Sequence, residues 1–219
     1  DAFVRYQHDW ASVSSDNMQS HIALRECIDE LKDRLEGERP GLITAFFGTQ
    51  HLTYGSTLAK EISKQLNPRG LIGCSSEAGV VTTAGETESL SSLVLTAIPL
   101  PPETSVTPFL TPTEDKVPQI LDEVKQYTNP SFILLSEAGW NLERFRTELQ
   151  AQFPNARIVG ATTYGERDDT GYLQFAGIAG DKSMKNCVAG IALDAPMGVI
   201  QSHGCEPKGE LMKVTKSDG

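Results

Sequence analysis

The chain has 219 residues and a formal net charge of −10, long enough for one sizeable core or for two fused subdomains. An acidic balance without a Lys/Arg stripe speaks against nucleic acid and anionic membrane surfaces as partners, and a soluble protein with an ordinary acidic surface is the plain expectation. The apolar runs, such as residues 93–98 and 132–135, fall far short of the roughly 20 residues that a membrane helix requires.

Cys27, Cys74, Cys187 and Cys205 are scattered without a Cys-x-x-Cys pair or a Cys/His cluster. That pattern suits reduced thiols in an intracellular compartment better than zinc, with a disulfide formally open. The start at Asp1 and the polar end suit a processed or truncated piece of a longer protein, cytoplasmic or organellar, whose targeting segment would already be missing.

Residues 1–14 carry Phe3, Tyr6 and Trp10 without a sustained period and read as an arm that packs on a partner. Asp16-Asn-Met-Gln19 has the form of a capping box opening a helix to about Leu35, with Leu24, Cys27, Ile28 and Leu31 at helical spacing. Gly37 and Pro40 stop it. Residues 42–47 form a short apolar run of the buried-strand type, followed by a helix over 56–66 with Leu58, Ile62 and Leu66 four apart. Asn67-Pro68 ends that helix.

The next stretch, Arg69-Gly-Leu-Ile-Gly-Cys-Ser-Ser-Glu-Ala-Gly-Val-Val81, runs an apolar strand into Gly73, Cys74, Ser75, Ser76 and Glu77. It reads as a strand exit facing a small cleft, because Gly permits positive φ and close backbone approach. Residues 90–98 predict a further strand, and 99–112, with five prolines, an extended connector between two halves. A helix over 114–127 tolerates Pro118 only near its first turn. A buried strand over 132–136 and an amphipathic helix over 141–153 follow.

Arg157-Ile-Val-Gly-Ala-Thr-Thr-Tyr-Gly165 then builds a second strand exit with Gly160, Thr162 and Thr163. Phe132 aligns with Leu42 and Gly160 with Gly73, an internal pseudo-repeat. Residues 171–178 read as a strand, and 187–193 with 198–202 as a hairpin about Asp194. The expected fold class is α/β, a layered sheet with covering helices in two pseudo-repeated strand-helix-strand halves. The expected boundaries are one domain over 15–210, halves of about 15–98 and 113–180, a terminal hairpin over 187–203 and a tail over 211–219.

Cys74, with Glu77 nearby and His51 or His203 as base, would meet the general logic of an activated thiol. The spacing matches no local catalytic signature, and a Cys after a buried strand is ordinarily a packing residue, so no catalytic residue is expected. Ser75, Ser76, Thr162 and Thr163 suit hydrogen bonding to a small polar ligand, with turn and cap chemistry as the plainer role. His203 could stand at the cleft rim or serve a hydrogen-bonded turn. Neither Gly70-Leu-Ile-Gly73 nor Gly177-Ile-Ala-Gly180 has the spacing a nucleotide pyrophosphate requires. Asp168, Asp169 and Asp181 lack the order of a calcium loop. No cofactor and no metal is expected.

The residues that carry a family likeness are the apolar strand over 42–48, Ile72-Gly-Cys-Ser-Ser-Glu-Ala-Gly79, Ile158-Val-Gly-Ala161, and the motif from Val199 to Gly209 that includes His203. Together they resemble the amino-terminal half of the FIST domain, over roughly residues 15–210. The resemblance implies a non-enzymatic sensory module that binds a small ligand, an amino acid for example, and acts in signal transduction through partners. The implied site is Gly73, Cys74, Ser75, Ser76 and Glu77 on one side, Gly160, Thr162 and Thr163 on the other, and His203 at the rim. Family members usually continue the second exit with more glycines and carry a carboxy-terminal half; Ala161-Thr-Thr-Tyr164 departs from the first pattern. The alternatives are an interaction subunit of a larger assembly, contacting it through Phe3, Tyr6 and Trp10, and a thiol hydrolase or transferase at Cys74.

Overall fold

The structure, a computed structural model, describes residues 10–76, 80–82, 85–87, 89–112, 117–137, 140, 142–163, 173–177, 183–185 and 187–200. In chain order its elements are β1 (Ala11–Ser15), α1 (Ser20–Leu35), β2 (Leu42–Gly48), a 3-10 turn (Thr49–Tyr54), α2 (Gly55–Leu66), β3 (Gly70–Ser76), β4 (Val80–Thr82), β5 (Gly85–Thr87), β6 (Leu93–Ile98), β7 (Val106–Thr111), α3 (Val117–Glu123), β8 (Pro130–Glu137), α4 (Leu142–Gln152), β9 (Arg157–Thr163), β10 (Leu173–Gly177), β11 (Ser183–Lys185) and β12 (Val188–Asp194).

The strands form a sheet of order β1-β6-β2-β3-β10-β11, a second of order β7-β12-β8-β9, and a ribbon of β4 and β5. β2 and β3 are buried along nearly their whole length because both faces of their sheet are covered. On one face Ile43, Ala45, Phe47 and Leu71 pack with Leu24, Ile28 and Leu31 of α1 and with Leu58 and Ile62 of α2. On the other, Leu42, Ile72 and Cys74 meet Leu135, Ala189, Ile191 and Leu193 of the second sheet. The far face of the second sheet carries α3 and α4 through Phe132, Leu134, Ile120, Phe145 and Leu149. The layers therefore run helix, sheet, sheet, helix.

The two halves share one register. β2 and β3 pair in parallel from Leu42↔Gly70 to Gly48↔Ser76, and β8 and β9 pair in parallel from Ser131↔Arg157 to Glu137↔Thr163. β6 lies antiparallel to β2 with Leu42↔Ile98, and β12 lies antiparallel to β8 with Ser131↔Leu193. β1 on β6 and β7 on β12 complete the correspondence. Ser131, one residue before the expected Phe132, thus holds the position in the second half that Leu42 holds in the first. A one-residue step in a strand exchanges its faces, so the register settles which side chains are equivalent. The halves differ in their excursions: β10 from the second half pairs antiparallel with β3 of the first, with Phe175↔Gly73, whereas β4 and β5, among the described residues, pair with each other alone.

Several local expectations are corrected. Asp16-Asn-Met-Gln19 makes no capping box: α1 starts at Ser20 without a side-chain cap, and the Asp16 carboxylate instead accepts the Ser92 hydroxyl at 3.0 Å. Residues 11–14, assigned to an arm, belong to β1 and pair with β6. The proline-rich connector contains β7, because Pro108 faces the single partner of an edge strand, where a missing N–H is tolerated. The hairpin about Asp194 does not form within the described residues: β12 pairs with β7 and β8, and residues 195–200 are not strand. Residues 201 and 202 of its second arm lie outside the described residues. The stops of the first two helices are as expected in place, with Glu36 and Asn67 left-handed at φ 49° and 46°.

Candidate functional site

Gly73, Cys74, Ser75 and Ser76 are the last four residues of β3 rather than a loop. Gly73 is absent from the positive-φ positions, whose glycines among the described residues are Gly37 and Gly85. It is paired on both sides, with Ala45 and with Phe175. Strand alternation and core membership place these residues. Cys74 is packed between the sheets with Ile72, so Ser76 shares that inner face. Gly73 and Ser75 face α1 and α2, as do their partners Ala45 and Phe47. Ser75 is buried and Ser76 half-buried.

The second exit follows the same rule. Ile158 packs with the α3 and α4 core, so Gly160 and Thr162 share that outer face, and Thr163 turns inward. The Thr163 hydroxyl donates to the Ser136 carbonyl at 3.0 Å. Ser75 and Thr162 therefore look toward opposite outer layers, while Ser76 and Thr163 share the inner ones. β3 and β9 do approach each other between the sheets. Glu77 and His203 lie outside the described residues, as do Phe3 and Tyr6; Trp10, just before β1, is 68% exposed.

Among the described residues nothing activates the Cys74 thiol. Burial pushes its thiol up to about 12, which leaves the reactive thiolate vanishingly rare at neutral pH. His51 is committed elsewhere. Its ring is fully buried, with Nε2 at 2.6 Å from the Ser91 carbonyl and Nδ1 at 2.8 Å from the Ser20 hydroxyl. A carbonyl only accepts, so Nε2–H donates to Ser91 and Nδ1 accepts from Ser20 in the neutral ring. This histidine ties the 3-10 turn to α1 and to the approach to β6.

What the second exit does border is a groove of about 240 Å³, lined by Leu142, Phe145 and Arg146 of α4, Leu134 of β8, and residues 158–162 of β9. A Cβ on Gly160 would stand 1.9 Å from the Leu134 carbonyl oxygen, so any side chain would push β9 off its neighbour. Next to residues that line the groove, two buried polar groups have no hydrogen-bond partner among the described residues, Ser136 Oγ and Trp140 Nε1, though neither residue lines it. Ser136 is the register partner of Thr162, and the Trp140 indole packs edge-on to Phe145 with ring centroids 5.9 Å apart. Neither group was singled out in the sequence, because an orphaned polar atom is a property of packing. Arg146 sits at the mouth, paired with Glu143 at 2.7 Å.

Among the described residues no set of three His, Cys, Asp or Glu side chains could hold a metal ion, and no helix is long and apolar enough to cross a membrane. No curated protein matches the chain. The family model of the FIST N domain matches residues 41–219, taking in both strand exits, the second sheet and the first sheet apart from β1, and starting one residue before β2, so that β1 and α1 precede the match. The chain belongs to the FIST N domain family.

Proposed function

We propose that this chain is a non-enzymatic sensory domain that binds a small ligand in the groove between α4 and β9 and acts in signalling through partners. The carrying observation is the groove itself: an apolar wall of Leu142, Phe145 and Ile158 with Arg146 and Thr162 also in its lining. Pockets that take small molecules combine an apolar lining with a few placed polar groups. The exposed Thr162 hydroxyl and the backbone of Gly160 and Ala161 supply further bonding groups on an edge strand. An amino-acid-sized ligand with one apolar side suits this volume. Membership of a family of generally sensory signalling domains supports the same reading, and the buried Cys74 thiol argues against the hydrolase alternative.

The test is native mass spectrometry of the chain isolated from its source, alongside Ile158→Trp, which fills the groove. A small mass carried by the wild type and lost from the variant supports ligand binding there. An equal load on both, or a bare chain that no small-molecule panel shifts, refutes it.

A second reading, an interaction subunit, is favoured by Trp10. An indole 68% exposed beside the edge strand β1 is the kind of aromatic anchor that interfaces use. Loss of a co-purifying partner on Trp10→Ala would support it; unchanged recovery of that partner would refute this contact.

A further inference from the structure

At the opposite end of the parallel strands, where β2, β3 and β8 begin, lies a second cleft of about 420 Å³. Its lining includes Arg39, Arg69, Thr104, Thr107 and Tyr127. Two arginines share one cleft in a chain of net charge −10, where several exposed cations are paired with acidic neighbours. Arg34, Lys64, Lys125, Arg144 and Arg146 all pair with carboxylates. Among the described residues, neither Arg39 nor Arg69 does.

Both guanidiniums are instead aimed by main-chain carbonyls. Arg39 donates through Nε to the Asn67 carbonyl at 2.6 Å and through Nη2 to that of Pro68 at 3.5 Å. Arg69 donates through Nη1 to the carbonyls of Leu100 and Pro101, and through Nη2 to that of Thr104. Carbonyls orient a guanidinium without cancelling its charge, and each guanidinium has five N–H donors. Arg39 thus keeps Nη1 wholly uncommitted and Arg69 keeps Nε.

The hydroxyls complete the donor set. Tyr127 Oη and Thr107 Oγ1 stand 2.6 Å apart. Two hydroxyls bring two protons, and their mutual bond uses one, so the other O–H can donate into the cleft. Burial, and secondarily the Asp194 carboxylate, raise the Tyr127 phenol against the lowering effect of its Thr107 bond, which keeps it protonated as a donor. The Asp194 carboxylate is itself held by the N–H groups of Thr128 and Asn129 at 2.9 and 3.0 Å.

We infer that the cleft of Arg39, Arg69, Thr107 and Tyr127 is a binding site for a small dianionic oxyanion, a phosphate group or a pair of carboxylates. Uncommitted guanidinium N–H groups beside neutral O–H donors are recognition chemistry for such groups. The site lies at the other end of the strands from the α4 and β9 groove, so it stands or falls independently of that reading.

The test is isothermal titration calorimetry of the full chain with inorganic phosphate and, separately, succinate, at matched ionic strength. Saturable binding of either supports the site, and the preferred anion identifies the ligand class. Arg39→Gln, at an exposed position, should weaken that binding by about tenfold or more, whereas Lys60→Gln, the same charge change on α2, should leave it within twofold. Arg69→Lys keeps the charge but loses the fork and should also weaken binding, with a thermal melt reporting whether the segment from 100 to 104 stays in place. No saturation with either anion, or equal weakening by Arg39→Gln and Lys60→Gln, overturns the proposal.

Discussion

The Ser20 hydroxyl stands 2.8 Å from Nδ1 of His51, across 31 residues of chain. The other ring nitrogen meets the Ser91 carbonyl, so one fully buried imidazole joins the start of α1, the 3-10 turn and the approach to β6. Replacing His51 by Ala removes both bonds and leaves a cavity beside an unpaired carbonyl. The expected loss is about 2–4 kcal/mol, read as a lower urea midpoint with an unchanged slope. A stability within experimental error of wild type would show that the ring is not structural.

Gly160 offers a sharper steric case. With the Leu134 carbonyl oxygen 1.9 Å from where its Cβ would lie, Gly160→Ala must displace β9 or β8. A cost of about 1–3 kcal/mol is expected, together with weaker binding in the adjoining groove. Gly198→Ala, with nothing within 4 Å of its added Cβ, is the neutral control. Equal unfolding midpoints for the two variants would contradict this account.

Glu36 has the opposite sign. Its φ of 49° places a side chain in the left-handed region at the end of α1, where glycine is ordinarily preferred. Glu36→Gly should raise stability by about 0.5–1 kcal/mol, seen as a higher melting temperature. A lower one would mean that the carboxylate makes up the conformational cost.

The buried thiols predict a pH dependence. Cys74 titrates near 9.0 when exposed and is pushed up to about 12 in the fold. Below the unfolded value both states hold the proton and the contribution is constant. Above it the unfolded chain releases the proton first, so this stability is lost as pH rises from about 9 toward 12. The slope is about 1.4 kcal/mol per pH unit for a single such thiol. Denaturant midpoints measured from pH 8 to 11 should fall more steeply for wild type than for Cys74→Ala. Parallel profiles, or rapid alkylation of Cys74 in the native protein at pH 8, would show that the thiol is accessible after all.

Much of this architecture is legible along the chain. The spacing of Leu24, Ile28 and Leu31 and of Leu58, Ile62 and Leu66 is enough to place α1 and α2, because burying one face of a helix demands it. The runs at 42–47 and 132–136 read as buried strands for the same kind of reason: both faces of their sheets are covered. Asn67-Pro68 and Gly37 mark where helices end. Asp16-Asn-Met-Gln19 misleads because a capping box is a local pattern, and here the Asp16 carboxylate is drawn to Ser92, 76 residues away. β7 escapes notice because prolines signal a connector unless their position at a sheet edge is known.

The candidate site depends far more on tertiary structure. Sequence alone determined that two strands end in small and hydroxyl-bearing residues, since composition and order are its own content. It could not determine that Ser75 and Thr162 face away from each other, because facing depends on a register that only pairing between distant strands decides. Nor could it bury Ser136 Oγ and Trp140 Nε1 among distant neighbours, or bring Arg39 and Arg69 to one cleft with Tyr127. Those are contacts between residues far apart in the chain, and they come into being only when the two sheets stack face to face and bury their shared apolar surface.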